Sequence, residues 1–239
     1  YITCGDFDGD GKTDVLVCLS NGNSYSLFLL SPEGANATWQ AVIPDQDIYT
    51  NTFISARYLA NMDFDGDGTD EILATPGSSS IQQTARIFRI RTNAQQRFLE
   101  TSYENGGFPS NGHEVHIGDF NGDGKSDLLT RYNTNNDWNI AYSNGIDFHS
   151  IPISLGTYVS NSDPLVIGDY NGDGRSDICI GYSDIYMNPY IKVLYSRGSL
   201  SDSHVYHSSV SYSWNTYKHP VVADVDGDGR SELINSTSI

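Results

Sequence analysis

Basic residues are scarce in this 239-residue sequence: 13 Lys and Arg stand against 30 Asp and Glu, a formal net charge of −17. That imbalance argues against nucleic acid or an anionic membrane surface as partner, because both are held through clustered positive charge. Cysteine is almost missing. Cys4, Cys18 and Cys179 cannot form a disulfide framework, and their odd number leaves at least one thiol unpaired within the chain. No apolar run is long enough to cross a bilayer, so membrane insertion is not expected. A signal peptide and an initiator Met are also lacking. The chain opens on a strand-like Tyr1-Ile-Thr-Cys4 and reads as a mature product or a piece of something longer.

Helix and enzyme signals are missing too. No stretch carries a 3.6-residue apolar period capped at both ends. There is no Gly-x-Ser-x-Gly elbow, phosphate-binding loop or Ser/His/Asp set, so the chain is expected to be non-catalytic, with no catalytic or organic-cofactor residues. The run His113-Glu114-Val115-His116 is one residue short of the H-E-x-x-H zinc motif. On a strand, His113 and His116 face opposite sides and cannot share a metal, and His204 and His207 have the same parity problem.

What the sequence has in quantity is one nine-residue stretch, written five times. The copies begin at Asp6 (DFDGDGKTD), Asp63 (DFDGDGTDE), Asp119 (DFNGDGKSD), Asp169 (DYNGDGRSD) and Asp224 (DVDGDGRSE). Each places an oxygen-bearing side chain at positions 1, 3, 5 and 9 and Gly at position 6. Hard cations take six to eight oxygens at about 2.3–2.6 Å, and side chains at 1, 3 and 5 converge when the backbone turns sharply at a Gly. Position 7 (Lys12, Thr69, Lys125, Arg175, Arg230) offers its backbone carbonyl, which leaves its side chain free to vary. One such stretch could be a solvated Asx-turn loop. Five in the same acidic register point to calcium, up to five ions in all. An EF-hand is excluded, because position 12 is Val17, Ala74, Thr130, Ile180 or Asn235 and never acidic. Positions 1, 3, 5 and 9 hold eighteen of the thirty acids, so the net charge is mostly metal-site charge.

The loops start 57, 56, 50 and 55 residues apart, a repeat length that suits propeller blades. A short apolar strand leads into each loop, and an apolar strand such as 15–19, 71–74 or 127–130 leads out. The outgoing strands read as nearly unbroken apolar runs, so both their faces are expected to be covered. A third strand follows at 25–30, 85–90, 138–142 and 190–195, and a weaker fourth at 39–43, 98–103, 148–153 and 204–210. The fold class is therefore all-β, a β-propeller of four-stranded antiparallel blades. Four full blades are expected at about 1–56, 57–112, 113–163 and 164–218, with 219–239 a partial fifth. Either the propeller is a fragment of a larger one or it closes with a two-stranded blade, and a linear β-solenoid is the weaker alternative. Cys179 occupies the site of Leu16, Leu73, Leu129 and Ile234 in the other repeats and reads as a buried small hydrophobe.

At these residues the chain resembles the FG-GAP/VCBS repeat family, which supplies the calcium-binding blades of integrin α-subunit propellers and of many secreted bacterial proteins. The resemblance covers all five loops and their flanking strands. It implies calcium at Asp6, Asp8, Asp10 and Asp14; at Asp63, Asp65, Asp67 and Glu71; at Asp119, Asn121, Asp123 and Asp127; at Asp169, Asn171, Asp173 and Asp177; and at Asp224, Asp226, Asp228 and Glu232. The Phe-Gly…Gly-Ala-Pro signature of integrins is absent, so an integrin-like ligand site is not implied. The third repeat looks most like blades in the shells of Rhs and Tc-toxin proteins and in propeller lectins.

These readings imply a calcium-stabilised binding or scaffold module of a secreted or cell-surface protein, with a protein ligand. A carbohydrate-binding propeller is the alternative, encouraged by 16 Tyr, 9 Phe and 3 Trp, as is the accessory propeller of a polysaccharide-active enzyme. Trp138, Tyr190 and Tyr25 begin equivalent third strands, a periodicity that blade packing explains more simply. The sequons at Asn36 and Asn235 are compatible with secretion.

Overall fold

A computed structural model describes residues 2–20, 25–31, 38–43, 56–76, 85–92, 97–105, 114–132, 137–155, 164–183, 189–196, 203–206 and 221–234. All regular structure there is β, and no helix is long and apolar enough to cross a membrane. The chain divides into two compact units: Tyr1–His113 with Asn144–Asp147, and Glu114–Ser143 with Phe148–Ile239.

In the first unit, β1 (Ile2–Gly5), β2 (Asp14–Ser20), β3 (Tyr25–Ser31) and β4 (Thr38–Ile43) pair in sequence order, all antiparallel. The next blade repeats this with β5 (Ala56–Met62), β6 (Glu71–Pro76), β7 (Ala85–Thr92) and β8 (Arg97–Asn105). The two blades are not separate sheets. A short parallel pairing of β4 with β8, Val42 opposite Arg97 and Ile43 opposite Phe98, joins them into one eight-stranded sheet. Each blade's last strand would otherwise leave a row of edge N–H and C=O groups unpaired.

The second unit holds two further four-stranded blades. They are β9 (Glu114–Gly118), β10 (Asp127–Tyr132), β11 (Asp137–Ser143) and β12 (Phe148–Ile153), then β13 (Leu165–Gly168), β14 (Asp177–Ser183), β15 (Pro189–Leu194) and β16 (Ser203–Tyr206). A two-stranded sheet, β17 (Val221–Ala223) with β18 (Glu232–Ile234), follows. The chain is thus four full propeller blades and a partial fifth. Beyond Tyr206 the expected fourth strand at 204–210 lies outside the described residues.

Burial explains why the outgoing strands are apolar throughout. Ile72, Leu73 and Ala74 are all buried, as are Ile178, Cys179 and Ile180, so both faces of β6 and β14 are covered. β2 departs from that expectation, since Leu16 and Cys18 are buried but Leu19 is 57 % exposed. In the last sheet Val221 and Ile234 stand largely exposed. Cys179 is the small hydrophobe its position suggests, and burial pushes its thiol up to about 12. Trp138 packs into the core with Phe120, Leu129 and Ile140 while the Arg131 guanidinium lies 5.2 Å from its ring centroid, so blade packing accounts for it. The side chains of Tyr25 and Tyr190 lie outside the described residues.

Candidate metal centres

Each nine-residue loop joins the first two strands of its blade, and its position-1 carboxylate shapes it. Asp119 Oδ1 accepts the N–H groups of Gly122 at 2.7 Å and Asp123 at 3.2 Å, and its Oδ2 accepts that of Gly124 at 2.9 Å. Asp6 and Asp169 make the same three bonds. Asp63 and Asp224 accept from the two glycines. To aim those amides inward the backbone turns left-handed at both glycines: φ is 78° at Gly122 and 83° at Gly124, with the same sign at positions 4 and 6 of every loop. The sequence reading used the position-6 glycine and overlooked the one at position 4. Position 5 closes the turn, its Oδ1 accepting the position-7 N–H in all five loops at 2.8–3.0 Å.

Two further positions anchor the loop. Position 2 inserts an aromatic ring into the core: Phe7, Phe64 and Phe120 are at most 1 % exposed, and burying such a ring contributes about 1.5–3 kcal/mol. Val225 holds that place in the last loop and is 65 % exposed. Position 9 accepts the position-2 N–H in every loop, from Phe7 to Asp14, Phe64 to Glu71, Phe120 to Asp127, Tyr170 to Asp177 and Val225 to Glu232. In the third and fourth loops the other oxygen accepts a second amide, from Ser143 or Ser196, at 2.8 Å.

These position-9 carboxylates pose an electrostatic problem. Asp14, Glu71, Asp127 and Asp177 are all fully buried. Burial pushes the Asp127 carboxyl up to about 7; the Ser143 and Phe120 amides oppose the rise, and the charges of Asp119 and Asp123 add to it. Asp177 is pushed up to about 6 by burial, with the Ser196 and Tyr170 amides opposing and Asp173 and Asp169 adding. Among the described residues no Lys or Arg pairs with Asp127 or Asp177. A divalent cation fits such a place, since every donor is a hard oxygen and each carboxylate retains lone pairs after accepting two N–H bonds. In the first, second and last loops, one oxygen each from Asp6, Asp8 and Asp10, from Asp63, Asp65 and Glu71, and from Asp224, Asp226 and Glu232 lie within 4.8 Å of one another. Asn121 and Asn171 bring only a carbonyl oxygen at position 3, which accepts the position-5 N–H at 2.9 Å.

Position 7 is less free than the sequence implies. Lys12, Lys125 and Arg175 reach back to the outer oxygen of the position-5 Asp, and Arg175 also donates to the Ser196 carbonyl at 2.7 Å.

The second loop differs. Arg89, on β7 and only 7 % exposed, donates Nε to Glu71 Oε1 and Nη2 to Asp65 Oδ2, both at 2.6 Å, pairs a second time with Glu71 through Nη2, and sets Nη1 3.2 Å from Asp67. Burial pushes the Glu71 carboxyl up, while the Phe64 amide and Arg89 pull against it. Burial works against the Arg89 charge, but Glu71 and Asp65 outweigh it and raise the group above its ordinary value.

Position 8, unremarked in the sequence, ties neighbouring loops together. The Asp6 N–H donates to Asp70 Oδ2 at 2.8 Å and the Asp70 N–H returns to the Asp6 carbonyl at 2.7 Å. Ser176 grips Asp119 in the same reciprocal way, and Ser231 grips Asp169. The residue before position 1 is then a glycine for lack of room: a Cβ at Gly118 would lie 2.8 Å from both Ser176 and Ile167, and one at Gly168 would lie 2.6 Å from Val222.

The profile of the FG-GAP-like repeat matches residues 6–74, 63–130, 119–180 and 169–234, four overlapping copies that together take in all five loops. The chain belongs to the FG-GAP-like repeat family. Each FG-GAP-like match runs from one loop through the outgoing strand of the next, so the three joints just described lie inside the matches at 6–74, 119–180 and 169–234. A search of curated protein sequences returns no match. Among solved structures, an Agrocybe aegerita lectin, described for its specific recognition of non-reducing terminal N-acetylglucosamine, superposes on 98 % of this FG-GAP-like chain at 16 % identity with a TM-score of 0.68. The Tc holotoxin pore of Photorhabdus luminescens superposes on 80 % at 15 % identity with a TM-score of 0.52. This chain spans 60 % of the lectin's length and 9 % of the toxin chain's, and at such identities the likeness is one of fold.

Elsewhere, Glu114 bonds His116 Nε2 at 2.8 Å and pairs with Arg131. Burial pushes the Glu114 carboxyl up, but His116 and Arg131 prevail and hold it below its ordinary value. His116 is thus tied to Glu114 on its own strand. His113, His204 and His207 lie outside the described residues or have undescribed side chains.

Proposed function

We propose that this chain is a non-catalytic propeller module whose loops are closed by calcium and whose blades offer a protein-binding or scaffolding surface in a secreted or surface-exposed protein. The observation that carries the calcium reading is the pair Asp127 and Asp177, fully buried carboxylates with no Lys or Arg partner among the described residues. The side chains at positions 1, 3, 5 and 9 hold the ion together with the carbonyl of position 7. The extracellular setting belongs to the same proposal, because modules outside the cell meet calcium at levels that fill sites of about 10⁻⁴–10⁻³ M. The test is thermal melting with about 1 mM calcium and again with excess chelator, where a rise of several degrees with calcium is expected. Equal melting temperatures would remove calcium from the account.

A second reading, a carbohydrate-binding propeller, is favoured by the lectin that superposes on nearly the whole chain. A glycan array probed in calcium and in chelator separates the two. Specific binding lost in chelator supports the lectin reading, and a blank array alongside a calcium-dependent melt supports the protein-binding one.

A further inference from the structure

The geometry points to Arg89 as a built-in replacement for the cation of the second loop, so that the Asp63–Glu71 loop takes no calcium while Arg89 is present. This inference rests on the calcium reading of the other loops. Three observations carry it. Arg89 touches three of the four carboxylates that would ligate the ion, Asp65, Asp67 and Glu71, and two of these, Asp65 and Glu71, belong with Asp63 to the set whose oxygens converge within 4.8 Å. It is 7 % exposed, so it cannot swing into solvent without uncovering its partner, the fully buried Glu71.

The third observation is positional. One step beyond the Ile72–Phe88 pair, β7 sets Arg89 opposite Glu71. The same step beyond Leu128–Ala141 sets Tyr142 opposite Asp127, and beyond Ile178–Leu194 it sets Tyr195 opposite Asp177. Neither tyrosine brings a positive charge. Arg89 therefore occupies a place that the third and fourth loops leave to an external ion. A guanidinium supplies one charge and several directed N–H donors, which satisfies two or three carboxylates but excludes a second cation from the same few ångströms.

The test counts ions on the full chain by titration calorimetry, checked by metal analysis after gel filtration. The wild type is expected to bind at most four ions, one fewer than its five loops. Asp65→Asn is expected to leave that count unchanged, whereas Asp8→Asn lowers it by one. Arg89→Met opens the second loop and raises the count by one. Hydrogen exchange provides a readout that does not depend on that variant folding. In chelator the wild-type amides of Gly66, Gly68 and Thr69 keep their protection, while those of Gly122, Gly124 and Lys125 lose it at least tenfold. Five ions on the wild type, falling to four in Asp65→Asn, would overturn the inference and leave the calcium reading standing. No ion bound to the wild type would overturn the calcium reading, and with it the gain expected of Arg89→Met.

Discussion

The second and third loops share one plan. Both turn left-handed at two glycines, both hang on a position-1 aspartate, and both bury a phenylalanine at position 2 and a carboxylate at position 9. They part at position 3, Asp65 in one and Asn121 in the other, and at the residue opposite that carboxylate, an arginine in one and a tyrosine in the other. In the second loop the buried negative charge is answered by a side chain the fold carries with it. In the third it is answered by two amides, from Phe120 and Ser143, and by no Lys or Arg among the described residues. The loop's shape is therefore separable from its dependence on metal. Asx-type hydrogen bonds and glycines make the turn, and under the proposed calcium reading a buried carboxylate with no cationic side chain beside it makes the turn conditional.

The largest test of that contrast removes the metal. With dissociation constants near 10⁻⁴ M, about 1 mM calcium is expected to stabilise the fold by about 1.4 kcal/mol per loop, and by about 6 kcal/mol over the four loops other than the second. Chemical denaturation with and without chelator measures it. An equal midpoint in both would erase the distinction between the loops.

Arg89→Met, unfolded in chelator, breaks the contrast from the other side. It leaves the Glu71 charge buried without its partner, and stability is expected to fall by about 3–5 kcal/mol, with calcium now restoring part of the loss. An Arg89→Met protein as stable in chelator as the wild type would mean that the ion pair is dispensable.

The pH dependence comes next. In the folded metal-free chain Asp127 and Asp177 hold their protons up to about 7 and about 6, against an ordinary value of 3.8. Below that ordinary value both states are protonated and nothing is lost. Above it the unfolded chain ionises first, so stability in chelator is expected to fall as pH rises from about 4 to about 7. Calcium, which binds the ionised form, should flatten or reverse the slope. Melting curves across that range decide it, and a chelated protein that gains stability over this window would contradict the assignment.

Smaller effects probe the joints rather than the ions. Gly168→Ala drives a Cβ to within 2.6 Å of Val222 and is expected to lower stability by about 1–3 kcal/mol with or without calcium. Ser231→Ala removes one hydroxyl that accepts the Asp169 amide and should lower it by about 0.5–1.5 kcal/mol. If either change also altered the ion count, joint and metal site would not be independent.

Much of this was legible from the residues. The five acidic registers located every loop, and unbroken apolar runs located the outgoing strands, because covering both faces of a strand removes the need for alternation. Arg89 was not legible. It lies eighteen residues beyond Glu71, on another strand, and only the pairing register brings the two together. Aligning the third strands would have exposed it, since an arginine then stands in the column of Tyr142 and Tyr195. The position-8 grip was hidden by distance as well: Asp70 holds Asp6 across 64 residues, Ser176 holds Asp119 across 57 and Ser231 holds Asp169 across 62. A nine-residue motif read one copy at a time cannot show a bond from one copy to the next.

That bond bears on how such a chain can lengthen. The fourth repeat carries both a plug, the Ser176 side chain that grips the third loop, and a socket, the Asp169 backbone with the bare Gly168 before it that receives Ser231. Gene duplication of one such repeat yields a copy whose plug already fits its parent's socket, with no compensating substitution needed at the seam. Selection can then act on what faces outward while the joint stays as it is.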